Sequence, residues 1–200
     1  MSSEITPEIE EHRQPDHEIH PQFLTRWSPR AFSNQEVPND VLLSLFEAAR
    51  WAPSSGNSQP WRFIIARNAE DRAKFHSFIN PSNLVWCDKA PVLVVVASQS
   101  KNAQGDTIRT HAFDAGTSWG YLALEASNQG LITHAMAGFN PDAARTALEV
   151  PEDYEIYAVI AIGYRGSKLD LPEKLQEREI PSNRRSVEES CFEGGFGKQL

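Results

Sequence analysis

The residues near the start of the chain that are best suited to chemistry are two arginines and a serine at alternate positions. Arg26, Ser28 and Arg30 occupy every second position within FLTRWSPRAF, residues 23–32. In an extended segment alternate side chains share one face, so two guanidinium groups and a hydroxyl would converge. Arginine forks match phosphate oxygens bidentately, which makes this segment a candidate anion site. Ordinary surface arginines are the alternative interpretation.

A second candidate is the polar loop between Pro53 and Pro60, with the sequence PSSGNSQP. It offers hydroxyls, carboxamides and backbone N–H groups but no charge. Because the residue before a proline is pushed out of the helical region, we expect a helix to stop at Ala52 and Gln59 to be extended. Serine, asparagine and glycine also make ordinary turns, so a simple helix-to-strand turn is the alternative.

Several familiar catalytic motifs are missing from the sequence. It contains no GxSxG, HExxH, CxxC or GxxxxGK[ST] pattern, so serine hydrolase, zincin, thiol-redox and P-loop NTPase chemistry have no local support. His111 and Asp114 lie three positions apart on a predicted helix, and we expect a surface pair rather than a catalytic one. An enzyme with this sequence would therefore take its reactive group from a cofactor. We predict no metal site.

Composition narrows the range of partners and compartments. The length of 200 residues suits one domain. The net charge of −8 argues against a general nucleic-acid or anionic-membrane surface. Any bound anion must therefore meet a local basic cluster. Cys87 and Cys191 are expected to be unpaired thiols in a reducing compartment. No secretory signal pattern and no apolar run approaching ~20 residues is present, so we expect a soluble cytoplasmic protein.

The candidate residues must be positioned by alternating helices and strands. The patterns predict strands at 61–66, 89–98, 131–139 and 154–164, with the nearly unbroken β-branched second run at the centre of the sheet. They predict helices from Pro38 to the polar loop, at 69–79, at 110–129 and over PDAARTALEV. The acidic, proline-containing residues 1–20 are predicted to be a flexible arm, and residues 21–200 a single domain.

Taken together, the motifs resemble the nitroreductase family of flavoproteins. Seven segments occur in the order of that family, over roughly residues 22–190: RWSPRAF, EAARWAPSSGNSQPWRFII, DKAPVLVVV, DAG, GLITHAMAGF, AIGY and NRRSVEE. The resemblance implies an α+β fold with a central, mostly antiparallel or mixed sheet flanked by helices. It also implies an intertwined homodimer with FMN at the interface.

The resemblance also implies roles for individual residues. Arg26, Ser28 and Arg30, with Trp27 between them, match the family's phosphate-contacting segment, and Arg184 with Arg185 beside it matches the late basic position. The flavin ring and ribityl chain would meet a loop from the partner subunit, here Pro53, Ser54, Ser55, Asn57 and Gln59. Ala137 and Gly138 resemble the backbone positions that face the N5 and O4 edge of the flavin.

The function implied is ping-pong electron transfer from NADH or NADPH through FMN to a nitroaromatic, a quinone or a similar acceptor. The reacting atom would be N5 of the flavin, so no catalytic side chain is expected. Two alternatives stay open. The protein could bind FMN as a carrier or sensor without turnover, or use FMN for other chemistry, such as flavin destruction or dehalogenation.

Overall fold

Four antiparallel strands form the central sheet of the computed structural model, which describes residues 4–199. The strands are β1 (Trp61–Ala66), β2 (Val92–Gln99), β3 (Ile132–Met136) and β4 (Tyr154–Gly163), in the spatial order β1-β2-β4-β3. Each adjacent pair is antiparallel. The predicted strand positions, the antiparallel sheet and the central place of β2 are confirmed.

The unbroken apolar run of β2 arises because both faces of the sheet are covered. Successive side chains of a strand point to opposite faces. Leu93 and Val95 accordingly join one buried cluster, whereas Val92, Val94 and Val96 join another. The first cluster includes Phe75, Trp86 and Ala144 from helices on one side, and the second includes Leu42, Leu45 and Leu122 from helices on the other.

The helices are α1 (Pro7–His12), α2 (Gln22–Thr25), α3 (Asn39–Arg50), α4 (Ala69–His76), α5 (Pro81–Cys87), α6 (His111–Asn128), α7 (Pro141–Ala147) and α8 (Glu173–Gln176). The predicted helices correspond to α3, α4, α6 and α7. No helix was predicted at α5, whose seven residues are too short to show a helical period. Asn140 caps α7, because its side chain accepts hydrogen bonds from the backbone N–H groups of Asp142 and Ala143.

The predicted N-terminal arm contains α1 and makes contacts with the domain. Ile9 is 4% exposed and Arg13 is 8% exposed. The carboxylate of Glu8 receives two hydrogen bonds of 2.7 Å from Arg165, which follows β4. These contacts hold the middle of the segment against the domain, while residues 1–3 lie outside the described part. The flexibility of the arm in solution stays a prediction.

Both cysteines are free thiols, one buried and one exposed. Cys87 lies in the core at the end of α5, and Cys191 is exposed near the end of the chain. Burial raises the pKa of the Cys87 thiol to about 12. None of the helices within residues 4–199 has the length and apolar character that crossing a bilayer requires.

Candidate functional site

Arginines from both ends of the chain surround one cavity of about 340 Å³. We call it the arginine cavity, and its wall consists of Arg13, Arg26, Trp27, Ser28, Arg30, His134, Arg178, Ile180, Ser182 and Arg184. Arg26, Trp27, Ser28, Arg30 and Arg184 are members of the predicted site, and the fold brings them together. The other five residues of the wall were not predicted: Arg13, His134, Arg178, Ile180 and Ser182. A binding role for any residue of this wall stays a proposal.

The extended segment that carries the first arginines begins later than predicted. Residues 22–25 form the short helix α2, and the backbone becomes extended at Arg26, with φ −74° and ψ 117°. From there the alternation places Arg26, Ser28 and Arg30 on the same cavity, as the spacing predicts. Arg26 also approaches the Ser28 hydroxyl, at 3.4 Å between Nη1 and Oγ.

A buried carboxylate fixes the end of this segment. Glu179 is 1% exposed and lies directly after Arg178, far along the chain from the first arginines. Its oxygens accept hydrogen bonds from the backbone N–H of Arg30, at 2.8 and 2.9 Å, and from that of Ala31, at 2.9 Å. These hydrogen bonds go to the backbone, and the Arg30 side chain lines the cavity. Burial and the charge of Arg178 lower the pKa of Arg30 overall, although the charge of Glu179 acts to raise it. The charged stretch around Glu179 gave no sequence signal for this role.

Arg13 fixes the beginning of the same segment from the N-terminal arm. Its Nη1 donates to the carbonyls of Leu24, at 2.6 Å, and Arg26, at 2.8 Å. Its Nε donates to the carbonyl of Ser182 at 3.1 Å. One guanidinium thus joins three segments that are distant in sequence. The prediction of a flexible arm gave no reason to expect it.

The electrostatics of the arginine cavity favour an anion. Five arginines and no aspartate or glutamate belong to its described wall. The pKa of the Arg13 guanidinium is lowered to about 10, mainly by burial and also by the positive charges of Arg184 and Arg26. Burial and Arg184 likewise lower the pKa of Arg26. A dianion in the cavity would offset both the repulsion among the arginines and part of their lost hydration.

His134 adds a neutral wall to the cavity. It lies on β3, and its ring centroid is 4.5 Å from that of Trp86. Burial lowers the pKa of His134 to about 4, against the opposing effect of the hydrogen bond to the Pro29 carbonyl. The imidazole is therefore neutral at pH 7, and Nδ1 donates to that carbonyl at 3.0 Å. This contact ties β3 to the arginine segment.

Arg185 lies apart from the other predicted arginines. It lines a neighbouring cavity of about 270 Å³, together with apolar residues that include Ile19, Phe23 and Val187. Arg13, Ser182 and Arg184 line both cavities, whereas Arg185 is absent from the wall of the arginine cavity. Of this adjacent pair, only Arg184 reaches the arginine cavity.

The polar loop forms a short 3₁₀ turn at Ser55–Asn57 with left-handed backbone at several positions. Asn57 and Gln59 have φ of 57° and 46°, so the prediction that Gln59 is extended was wrong. The Gln59 N–H donates to the Ser54 hydroxyl at 3.1 Å, and this bond holds the tight turn against the preference imposed by Pro60. Helix α3 ends at Arg50, two residues before the predicted stop. Strained conformations of this kind are concentrated at functional sites.

Asp114 anchors the loop to helix α6. The side chain is 3% exposed, so the prediction of a surface pair with His111 was wrong. Its Oδ2 accepts hydrogen bonds of 3.2 Å from the Ser55 N–H and from the Thr110 hydroxyl. His111 instead contacts the Ser98 hydroxyl through Nδ1 at 2.8 Å.

The remaining predicted residues lie outside the arginine cavity. Five of them belong to the mostly exposed loop and are absent from the cavity wall: Pro53, Ser54, Ser55, Asn57 and Gln59. Ala137 and Gly138 follow β3 and are also absent from it. The Gly138 carbonyl accepts from Asn83 Nδ2 at 3.1 Å, and a Cβ at Gly138 would lie 2.5 Å from the same nitrogen. Within one chain the predicted residues therefore lie in four places: the arginine cavity, the neighbouring cavity that Arg185 lines, the polar loop and the end of β3.

The chain matches one family model over most of its length. The model of the "Nitroreductase family" matches residues 24–85 and 79–164. The chain belongs to the nitroreductase family. The matched region includes Arg26, Ser28 and Arg30, the polar loop, and the end of β3. Arg13, Arg178 and Arg184 lie outside it, so the arginine cavity combines residues from inside and outside the matched region.

Individual nitroreductase-like proteins resemble the chain over much of its length. A crystal structure described as an oxidoreductase containing FMN has a TM-score of 0.89 and 38% identity, covering 94% of this chain and 97% of that one. An NADH dehydrogenase from Thermus thermophilus is 29% identical over 174 residues, covering 70% of this chain and 83% of that protein. Iodotyrosine deiodinase from Hydra vulgaris is 24% identical over 176 residues, covering 74% and 65% respectively.

Proposed function

We propose that this protein binds FMN and transfers electrons from NADH or NADPH to a nitroaromatic, a quinone or a similar acceptor. The observation that carries the proposal is the arginine cavity, where five guanidinium groups meet with no carboxylate side chain in the described wall. FMN carries a phosphate dianion, which such a cluster attracts and fixes. The FMN-containing relative with a TM-score of 0.89 supports the same cofactor.

Different residues of this chain would contact the two ends of the cofactor. Arg26, Ser28, Arg30 and Arg184 would hold the phosphate through charged and hydroxyl donors. The uncharged loop from Pro53 to Gln59 suits the neutral ring and ribityl chain, because it offers amides and hydroxyls without a fixed charge. The backbone of Ala137 and Gly138 would face the edge of the ring.

Bound FMN would supply the redox chemistry of its isoalloxazine ring. In the overall reaction, NADH or NADPH gives up a hydride and becomes NAD⁺ or NADP⁺. A quinone that takes up the equivalent hydride and a proton becomes a hydroquinone. The chain's contribution is to position donor, cofactor and acceptor, and we expect a ping-pong order because donor and acceptor would use one face in turn.

We further propose that the site is completed by a second copy of the chain. Two features of one surface support a homodimer. On α6, a Cβ built at Gly116 or Gly120 would meet no atom within 4 Å, so another helix has room to approach closely. Phe113 on the same helix is 80% exposed, and Trp51 beside the polar loop is 70% exposed. Large exposed aromatic side chains and an open helix face are typical of an interaction site.

An anaerobic titration tests the function. Purified protein loaded with FMN should be yellow, and NADH or NADPH should bleach the flavin absorption band. Addition of a quinone or nitroaromatic should restore it. Protein that cannot be loaded with FMN would contradict the proposal. Loaded protein that neither nucleotide reduces would instead indicate a carrier or sensor.

Reductive dehalogenation is a second candidate, favoured by the similarity to iodotyrosine deiodinase. In that reaction a carbon–halogen bond is replaced by a carbon–hydrogen bond, the halide leaves, and the hydride equivalent comes from NADH or NADPH. Incubation of loaded protein with iodotyrosine should then release iodide in proportion to nucleotide oxidised. Nucleotide oxidation with a quinone but no iodide release would exclude this candidate.

A further inference from the structure

We propose that Arg13 is a phosphate-binding residue of the FMN site, so that docking of the N-terminal segment and binding of a phosphorylated flavin stabilise each other. The proposal rests on the proposed function. We call residues 7–16 the N-terminal strap; it contains α1, Arg13 and Asp16. The family model begins its match at residue 24, beyond the strap.

The hydrogen bonds of Arg13 leave part of its guanidinium for a ligand. The group has five N–H bonds in a fixed fork. Nε and Nη1 use theirs on the carbonyls of Ser182, Leu24 and Arg26. Within residues 4–199, the Nη2 hydrogens have no protein acceptor. Since Arg13 lines the arginine cavity, these donors are placed to meet a phosphate oxygen there.

Charge links the docking of the strap to the anion. Arg13 enters a cavity that already contains Arg26 and Arg184, so docking brings like charges together. A phosphate would turn this repulsion into attraction. If the docked strap raises the affinity for phosphate, phosphate must favour docking by the same factor, because binding linkage is reciprocal.

The strap has a second anchor, formed by Glu8 and Arg165, and neither residue itself lines the cavity. Glu8 accepts two hydrogen bonds of 2.7 Å from Arg165, and Arg165 Cζ lies 5.0 Å from the centroid of the Trp27 ring. Glu8 is not part of the arginine cavity. Glu8→Gln therefore loosens the strap without removing a guanidinium. Glu10→Gln is the matched control, because Glu10 is exposed on the same helix.

Titration of the full-length protein with FMN and with riboflavin, which lacks the phosphate, tests the proposal through flavin fluorescence. Arg13→Ala should weaken FMN binding at least about tenfold, the loss expected for a charged hydrogen bond. Riboflavin binding should stay within about twofold. Arg13→Lys should recover part of the loss. Glu8→Gln should also weaken FMN binding selectively, and Glu10→Gln should not.

Protease cleavage of the strap gives a readout without any redox activity. FMN should slow cleavage in the wild-type protein but have little effect in Arg13→Ala. Unchanged FMN affinity in Arg13→Ala would overturn the inference and leave the proposed function standing. An equal loss of FMN and riboflavin would overturn it as well, since it would indicate a general structural role. A wild-type protein that binds neither flavin would overturn both proposals.

Discussion

The carboxylate of Glu179 accepts hydrogen bonds of 2.8 and 2.9 Å from the backbone N–H of Arg30, although the two residues are 149 positions apart. A buried acid next to an arginine would ordinarily suggest a side-chain ion pair. Here the acid binds the backbone, and the arginine side chain stays on the cavity wall. The relationship explains how an arginine-rich segment is held in shape through its backbone while the Arg30 guanidinium lines the cavity.

Glu179→Gln should lower both stability and FMN affinity. One carboxylate oxygen accepts from both Arg30 and Ala31, and the other accepts from Arg30 alone. In a carboxamide one of these two acceptors becomes an NH₂ group, which repels the N–H of Arg30. We expect the free energy of unfolding in urea to fall by about 1 to 3 kcal/mol. Glu177→Gln is the control, because Glu177 is exposed two residues away. Equal stability of the two variants would show that the Glu179 contacts contribute little.

Arg26→Ala should reduce the preference for FMN over riboflavin. We expect the dissociation constant of FMN to rise about 10- to 100-fold, because a charged contact to the phosphate is lost. Riboflavin binding should change little. Fluorescence titration at two salt concentrations should also show a smaller salt dependence in the variant. Arg109→Ala, which removes an exposed arginine outside the cavity, should bind both flavins like the wild type.

Asp114→Ala, which removes the oxygen that accepts both hydrogen bonds, should affect both flavins alike. Asp114 holds the polar loop through the Ser55 N–H, and the hydroxyl of Thr110, at the start of α6, donates to the same carboxylate oxygen. The loop is proposed to meet the ring and ribityl chain. We expect FMN and riboflavin to lose affinity by a similar factor of about 3 to 30, the loss of one or two hydrogen bonds. Asp142→Ala changes an exposed aspartate on α7 and serves as the control. A loss confined to FMN would contradict the assignment of the loop.

Phe113→Asp should dissociate the proposed dimer. Phe113 is 80% exposed beside the open glycines of α6, so a charge there would be buried without a partner on association. Analytical ultracentrifugation should show a shift from dimer to monomer, together with weaker FMN binding. Leu169→Asp alters another exposed apolar residue, which is 79% exposed and far along the chain from α6. That control should keep the oligomeric state of the wild type.

His134 should make stability depend on pH. Its pKa is lowered by burial from 6.5 to about 4. The unfolded chain binds this proton more readily than the folded chain. The contribution of His134 to the free energy of unfolding is therefore highest above about pH 6.5 and decreases as the pH falls toward 4, by about 3 kcal/mol at most. Urea unfolding at pH 7.5 and pH 5 should show a smaller pH effect in His134→Asn. An identical pH effect in the two proteins would contradict the prediction.

The local elements of the fold were largely predictable from the sequence. The β-branched run of β2 predicted a strand covered on both faces, and its side chains divide between two buried clusters. The apolar spacing of α3 and the capping residue of α7 gave those helices. Periodicity and capping act over a few neighbouring residues, so they are visible in the sequence. The seven-residue helix α5 lacked that length of pattern.

The site was predictable only in its separate parts. The alternation of Arg26, Ser28 and Arg30 predicted one shared face, and the order of motifs predicted the family. Nothing local connected Glu179 to Arg30, Arg13 to Arg26, or Asp114 to Ser55. Each of these contacts joins residues that the tertiary fold brings together. The same is true of Gln59, whose left-handed backbone overrides the preference set by the following proline.

The sequence by itself determined which segments carry charge, which carry neutral donors, and which must be buried. Only the tertiary structure decided that five arginines surround one cavity, that Arg185 is not among them, and that the N-terminal strap supplies one of the five. The physical reason is that residue type and spacing fix local conformation. The meeting of distant charges depends instead on how buried surfaces pack, and on the buried hydrogen bonds that such packing must satisfy.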